Sequence, residues 1–122
     1  MIETIRLSER ARQQLITLKR YTKIQNWNVL CRWAFCLSLR EESVPPDEEI
    51  PADSSVEMSW RTFGGANDEL FWVLLIARAK RDGVEPSPSA LNRYFRLHLH
   101  RGISYLASGR TRSVADLVRL GV

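Results

Sequence analysis

Two histidines, two cysteines, one glycine pair and a run of carboxylates are the groups from which a reactive centre in this chain would have to be built. His98 and His100 stand two residues apart in a stretch of helical periodicity. They therefore leave the helix on opposite sides, whereas paired ligands on a helix are about a turn apart. Cys31 and Cys36 are five apart on a second helical stretch, about 140° around the axis. That separation serves neither a disulfide nor a shared metal. It suits two plain reduced thiols, at least one of them packed in the core. Gly64–Gly65 precedes a helical stretch but lacks the rest of either phosphate-binding fingerprint, so a tight turn is expected. The carboxylates gather in residues 41–57, where water would keep them unperturbed. No nucleophile has a base and an orienting partner at a workable spacing. The reading is a protein that is not an enzyme, with no catalytic residue, metal or cofactor. "HLHRGISY" does bring His100, Arg101 and Tyr105 together, for anion binding, a subunit contact or, best favoured, ordinary interface packing.

The cations offer a different chemistry. "LKRYTKIQNWNVLCRWAF", residues 18–35, sets Lys19, Arg20, Lys23 and Arg32 among aromatic side chains with no acid between them. Arg12, Lys19 and Lys23 are seven and four residues apart, hence within about 40° on one helix flank. Ile16 interrupts the stripe, and Arg20 extends it to one side. Such a face suits phosphate contacts, though a solvated helix flank would read the same. The tryptophans could stack on single-stranded bases, but at helical spacing they fit a core or a subunit interface better. Trp27 lies on the core stripe; Trp33 and Phe35 lie off it and add apolar area to be covered.

The elements that must hold these residues follow from periodicity and caps. "IETIRLS" alternates as a short strand, with Ile5 and Leu7 on one side and Thr4 and Arg6 on the other. Ser8 and Glu9 open a helix of about 9–22 with the stripe Ala11, Leu15, Leu18, Thr22. Asn26 opens another, about 27–40, with the stripe Trp27, Leu30, Cys31, Ala34, Leu37. "EESVPPDEEIPADSS" is a loop to which Ile50 and Val56 could give anchors. "VEMSWRTFGG" has room for a short strand before the glycine turn. Ala66 or Asn67 starts a third helix, whose "LFWVLLIA" is apolar all round and so predicts burial all round. Asp82–Gly83 stops it. Ser87–Pro88 opens a fourth with the stripe Leu91, Phe95, Leu99, Gly102, Leu106. Gly109 ends it, and Ser113 caps a last short helix to about Leu120. The fold class is mainly α: a strand–helix–helix unit followed by further helices.

Length and charge bound the rest. At 122 residues, 44% hydrophobic and 26% charged, the chain reads as a single domain: residues 1–40, an acidic loop 41–57 and a helical remainder 58–122. Its longest uncharged apolar run, Leu70–Ala77, is too short to span a membrane. No secretory pattern opens the chain, so a cytoplasmic protein is the default. The net charge of +4 divides into +6 over residues 1–40, −7 over 41–57 and +5 over 58–122. That partition favours a polyanion as partner over an acidic substrate.

Strand, helix, turn, helix over residues 2–40 resembles a ribbon-helix-helix unit. In that class two chains pair their strands and read bases with the outward side chains, here Ile2, Thr4 and Arg6. Isoleucine reads base edges poorly. A closer resemblance spans almost the whole chain: "KIQNWNVLCRWAFCLSL", "IPADSSVEMSWRTFGG" and "HLHRGISYLASG" are similar to DndE, the small-subunit family of the bacterial DNA phosphorothioation (sulfur-modification) system. Ala66 replaces an acid frequent in that family after the paired glycines, so no role is carried to that position. The resemblance implies a ribbon-helix-helix-like fold, a homo-oligomer, best a tetramer, and a DNA-associated accessory subunit. Its partners would be double-stranded DNA, with nicked duplex a candidate form, and the system's sulfur-mobilising and ATPase subunits. The expected backbone contacts are Lys19 and Lys23, helped by Arg12, Arg20 and Arg6. The alternatives are a ribbon-helix-helix transcriptional regulator and a pure assembly subunit.

Overall fold

A computed structural model of the chain describes residues 1–108. In chain order these form β1 (Thr4–Arg6), α1 (Glu9–Thr22), α2 (Trp27–Arg40), β2 (Glu57–Ser59), α3 (Trp60–Gly64), α4 (Asp68–Arg81) and α5 (Pro88–Ala107), with a 3-10 turn at Gly65–Asn67. The fold is mostly helical, as expected, and α1 and α2 have the bounds their periodicity predicts. The helix expected beyond Ser113 lies outside the described residues.

Local chemistry accounts for most boundaries. Ser8 Oγ accepts from the Ala11 amide at 3.1 Å, capping α1. Ser87 Oγ accepts from the Ala90 amide at 3.2 Å ahead of α5, with Pro88 at its first turn. Asp82 closes α4, and Gly83 follows at φ 75°. Ser59 Oγ caps the short α3 through the Thr62 amide, a one-turn helix that the sequence reading passes over. Gly65, at φ 59°, makes the turn into the 3-10 segment, and Arg32 Nε donates to the adjoining Phe63 carbonyl.

β1 finds its partner inside the chain. It pairs antiparallel with β2, setting Thr4 against Ser59, Ile5 against Met58 and Arg6 against Glu57. This corrects the expectation that the strand needs a second chain to satisfy its edge. Ile2 is also not an outward reader: it precedes the strand, escapes its alternation and is buried.

The core centres on α2 and α5. Gly102 brings the α5 backbone so close to α2 that a Cβ there would lie 1.8 Å from the Ala34 carbonyl oxygen. α3 and α4 close over the far side of α2. Phe35, expected to be surplus, is therefore fully buried, its ring 5.7 Å from that of Phe63, 6.2 Å from Phe71 and 5.1 Å from Phe95. A helix packed on two sides needs more than one apolar stripe. The opposite correction applies to α4. Phe71 and Leu75 are buried, but Leu70, Val73 and Leu74 are 54%, 60% and 38% exposed, because one side of α4 faces nothing among the described residues.

Loop 41–57 is strapped down rather than loose. Arg78 donates to the carbonyls of Leu39, Glu41 and Ser43. Arg96 donates to those of Arg6, Ile50 and Pro51, and Arg101 to those of Ser38 and Ser43. Among the described arginines of α4 and α5, only Arg93 pairs with carboxylates of the loop, Asp47 and Glu49. Val56 is buried and Ile50 half-buried, so both hydrophobic anchors act as anticipated.

Candidate nucleic-acid interface

The five expected cations sit in five different environments. Lys19 projects from the last turn of α1, and its Nζ lies 3.3 Å from the centroid of the Trp27 ring at the start of α2. Partial burial there lowers its pKa, and the ring face holds the ammonium in place while leaving it charged. Lys23 follows at the C-cap, where its amide donates to the Lys19 carbonyl at 2.9 Å. It is the only non-glycine residue with positive φ among those described (66°). Its side chain is exposed and makes no ion pair with a described residue. Arg12, on the same flank one turn from the helix start, donates to Glu9 at 3.0 Å. Arg20 places its guanidinium 5.6 Å from the centre of the Tyr21 ring. Arg6 is committed across the sheet, to Glu57 at 3.2 Å and to the Ser54 carbonyl at 2.9 Å.

Arg12 and Lys19 thus share one flank of α1, with Ile16 exposed between them, and Lys23 follows at the left-handed cap beyond the helix. The fold sets Arg6 apart on the sheet. Arg10 is a further exposed cation without a described partner, on the other flank of α1. The helix wheel of 9–22 already places it there, opposite the stripe.

The groups with possible reactive chemistry are turned inward. His98 is fully buried, its Nδ1 2.8 Å from Ser38 Oγ. Arg101 Nε donates to that same oxygen at 2.9 Å. Nε2 has no hydrogen-bond partner, and the Tyr94 ring stands nearly perpendicular, 4.7 Å away between centroids. Burial, reinforced by the Arg101 and Arg78 charges, pushes the His98 pKa down to about 3. His100 faces the other way, accepting from the Ser8 amide through Nε2 at 3.1 Å and donating from Nδ1 to the Arg96 carbonyl at 2.8 Å. Burial takes its pKa to about 4. The opposite directions predicted from spacing are observed, and both rings serve as internal links.

Beside His100 a cleft of about 480 Å³ opens between α1, α5 and the acidic loop, lined in part by Arg10, Gln14, Arg101 and Tyr105. Cys31 is buried, its thiol pushed up to about 12 by burial, and Cys36 is half-buried and raised for the same reason. Both are free thiols. Among the described residues no three His, Cys, Asp or Glu side chains converge on one point. No described helix is long and apolar enough to cross a membrane.

Comparison with known proteins turns this geometry into a family assignment. The family model described as DNA sulphur modification protein DndE matches residues 4–113. The chain belongs to the DndE family. Two solved DndE structures share its fold. One, from Escherichia coli B7A and described as involved in DNA phosphorothioation modification, has a TM-score of 0.72 at 24% identity, over 85% of this chain and 95% of that one. The other, a DndE variant with two glycines replaced by lysine, described as involved in DNA phosphorothioation, has a TM-score of 0.69 at 21% identity, over 89% of this chain and all of that one. No curated protein matches the sequence. DndE membership covers β1 through α5, so every cation weighed above lies within the matched span.

Proposed function

We propose that this chain is a non-catalytic, DNA-binding accessory subunit of the DNA phosphorothioation machinery, a cytoplasmic homotetramer that holds the phosphate backbone while other subunits carry out the sulfur chemistry. The observation that carries the reading is the pairing of Lys19, steadied on Trp27, with Lys23, free at the left-handed cap four residues on, in a member of the DndE family. Exchange of a phosphate oxygen for sulfur is backbone chemistry and needs no base reader. Lysines act as point charges on phosphate, indifferent to sequence. Arg12, Arg20 and Arg6 contribute as helpers, Arg12 and Arg6 by exchanging their present carboxylates for phosphate. Binding is sequence-tolerant, and a nicked duplex, being flexible, fits the surface better than an intact one.

A regulator of ribbon-helix-helix type draws less support, since β1 is already paired and Ile2 buried. Replacing Lys19 and Lys23 together by alanine weakens binding to all duplexes and lowers the salt slope by about two units, roughly one per lost contact. Unchanged affinity and slope in the folded double variant overturns the assignment. Normal DNA modification by a complex reconstituted with that variant favours a pure assembly subunit instead. Equal affinity for nicked and intact duplex removes the nick preference alone.

A further inference from the structure

Among the described residues, one side of α4 presents an apolar surface that the functional reading leaves unused. Leu70, Val73, Leu74 and Ala77 follow one another at the spacing of a single helix stripe, and all four are exposed. The other exposed large apolar residues, such as Ile16, Val44 and Tyr105, are scattered over different elements, which is normal for a soluble surface. A continuous apolar stripe on a rigid helix marks a contact site. Loop 41–57 cannot serve as its cover, since it is tied to Arg78, Arg96 and Arg101 elsewhere.

Charge at the two ends of the stripe identifies the occupant. Glu69 stands just before it and Lys80 just after it, both exposed and neither ion-paired with a described residue. Eleven residues apart, they lie within about 20° of each other around the helix, on one flank of the stripe. When two copies of a helix pack antiparallel about a two-fold axis, each flank meets the same flank of its partner. Centring the pair between Val73 and Leu74 sets Leu70 opposite Ala77 of the second copy. Lys80 then falls within two residues, about 3 Å of helix rise, of the partner's Glu69. A parallel pair would instead turn that flank away from itself and leave both charges unanswered.

We propose that α4 is a self-association surface, joining two copies of this chain through an antiparallel, isologous contact along Leu70–Ala77 with two symmetric Glu69–Lys80 ion pairs. This rests on the reading of the chain as a homo-oligomer and names the surface that joins it. The arrangement is self-complementary, so it closes at two copies, and a tetramer requires a second, different surface.

Sedimentation of the full chain and of charge-reversed variants tests it. Glu69→Lys alone and Lys80→Glu alone each raise the dissociation constant of this contact by about tenfold, and the two together return it to within about threefold of the parent. A double variant no tighter than its weaker parent overturns the pairing. Val73→Asp and Leu74→Asp, both at exposed positions, split the assembly. If the parent is oligomeric and these variants keep its full size, the surface is wrong and the assembly reading survives. A parent that is monomeric at tens of micromolar overturns both. Orientation is read by oxidation in a Cys36→Ser background. Leu70→Cys mixed with Ala77→Cys gives the mixed disulfide. Cross-linking of Leu70→Cys to itself in its place rejects the antiparallel arrangement.

Discussion

His98 and His100 share a helix, yet each closes a different joint of the protein, and both do so as neutral rings. His98 Nδ1 is hydrogen-bonded to Ser38 Oγ on α2, and His100 Nε2 accepts from the amide of Ser8 at the start of α1. A proton added to either ring places a charge in a buried site, and at His100 Nε2 it also removes an internal hydrogen bond. Burial lowers both pKa values from an ordinary 6.5, to about 3 for His98 and about 4 for His100. Between those limits the unfolded chain binds more protons than the folded one, so stability rises with pH. The stabilisation is complete above about pH 6.5 and is lost as pH falls, toward 4 for His100 and toward 3 for His98. Each unit of displacement corresponds to about 1.4 kcal/mol, so the two rings together withdraw several kcal/mol. Unfolding followed from pH 7.5 to 4 shows this as a steadily falling midpoint. A midpoint flat from 6.5 to 5 rejects the account. Asp82 acts lower on the scale. Burial alone would raise its pKa, but hydrogen bonds from Tyr94, Arg81 and Arg78 outweigh that and hold it below 3.8.

Between elements, the decisive contact has no side chain on one partner. α2 and α5 meet where Gly102 lies against the Ala34 carbonyl, and a methyl group there would stand 1.8 Å from oxygen. Gly102→Ala gains helix propensity of up to about 1 kcal/mol but forces the two helices apart. Separation along the centre of the core costs several kcal/mol, and the net result is a marked drop in the thermal midpoint. An unchanged midpoint excludes the close approach. Much of this layer was legible before the fold was seen. Ser8, Ser87–Pro88 and Asp82–Gly83 act within a few residues of themselves, so their caps follow from local chemistry. Gly102 belongs to a stripe readable from periodicity. What local patterns could not supply was partnership across the chain. The pairing of Arg6 with Glu57 and the straps from Arg78, Arg96 and Arg101 bridge 35 or more positions. Apolar runs misled in both directions for one reason: periodicity reports how many sides are apolar, while neighbours decide how many are covered. Phe35 proved fully covered and Val73 mostly bare.

At the scale of the whole molecule, charge is sorted by depth and by partner. The arginines of α4 and α5 are largely spent on the carbonyls and carboxylates of loop 41–57, while one of the loop's acids, Asp53, accepts from the Glu9 amide at the start of α1. The candidate site itself was legible as spacing on α1, and its grading was not. Trp27 steadies Lys19, Glu9 occupies Arg12 and Glu57 occupies Arg6, and each of those partners is set by the packing of another element.

Lys23 carries a further meaning when the protein is regarded as the product of selection. A lysine at φ 66° occupies a conformation that costs a side-chain-bearing residue about 1 kcal/mol or more relative to glycine. Glycine is the common solution at helix ends and is free of that strain. A sequence optimised for endurance alone would hold glycine here. Lys23→Gly therefore raises the thermal midpoint by about 3 °C for a chain of this size, with calorimetry as the check, while DNA affinity falls. Lys23→Ala loses the same affinity and gains no such stability. A glycine variant that is no more stable than the parent removes the argument. Both outcomes together mark position 23 as a place where heat tolerance was surrendered for a charge, the signature expected of a residue kept for its work rather than for the fold.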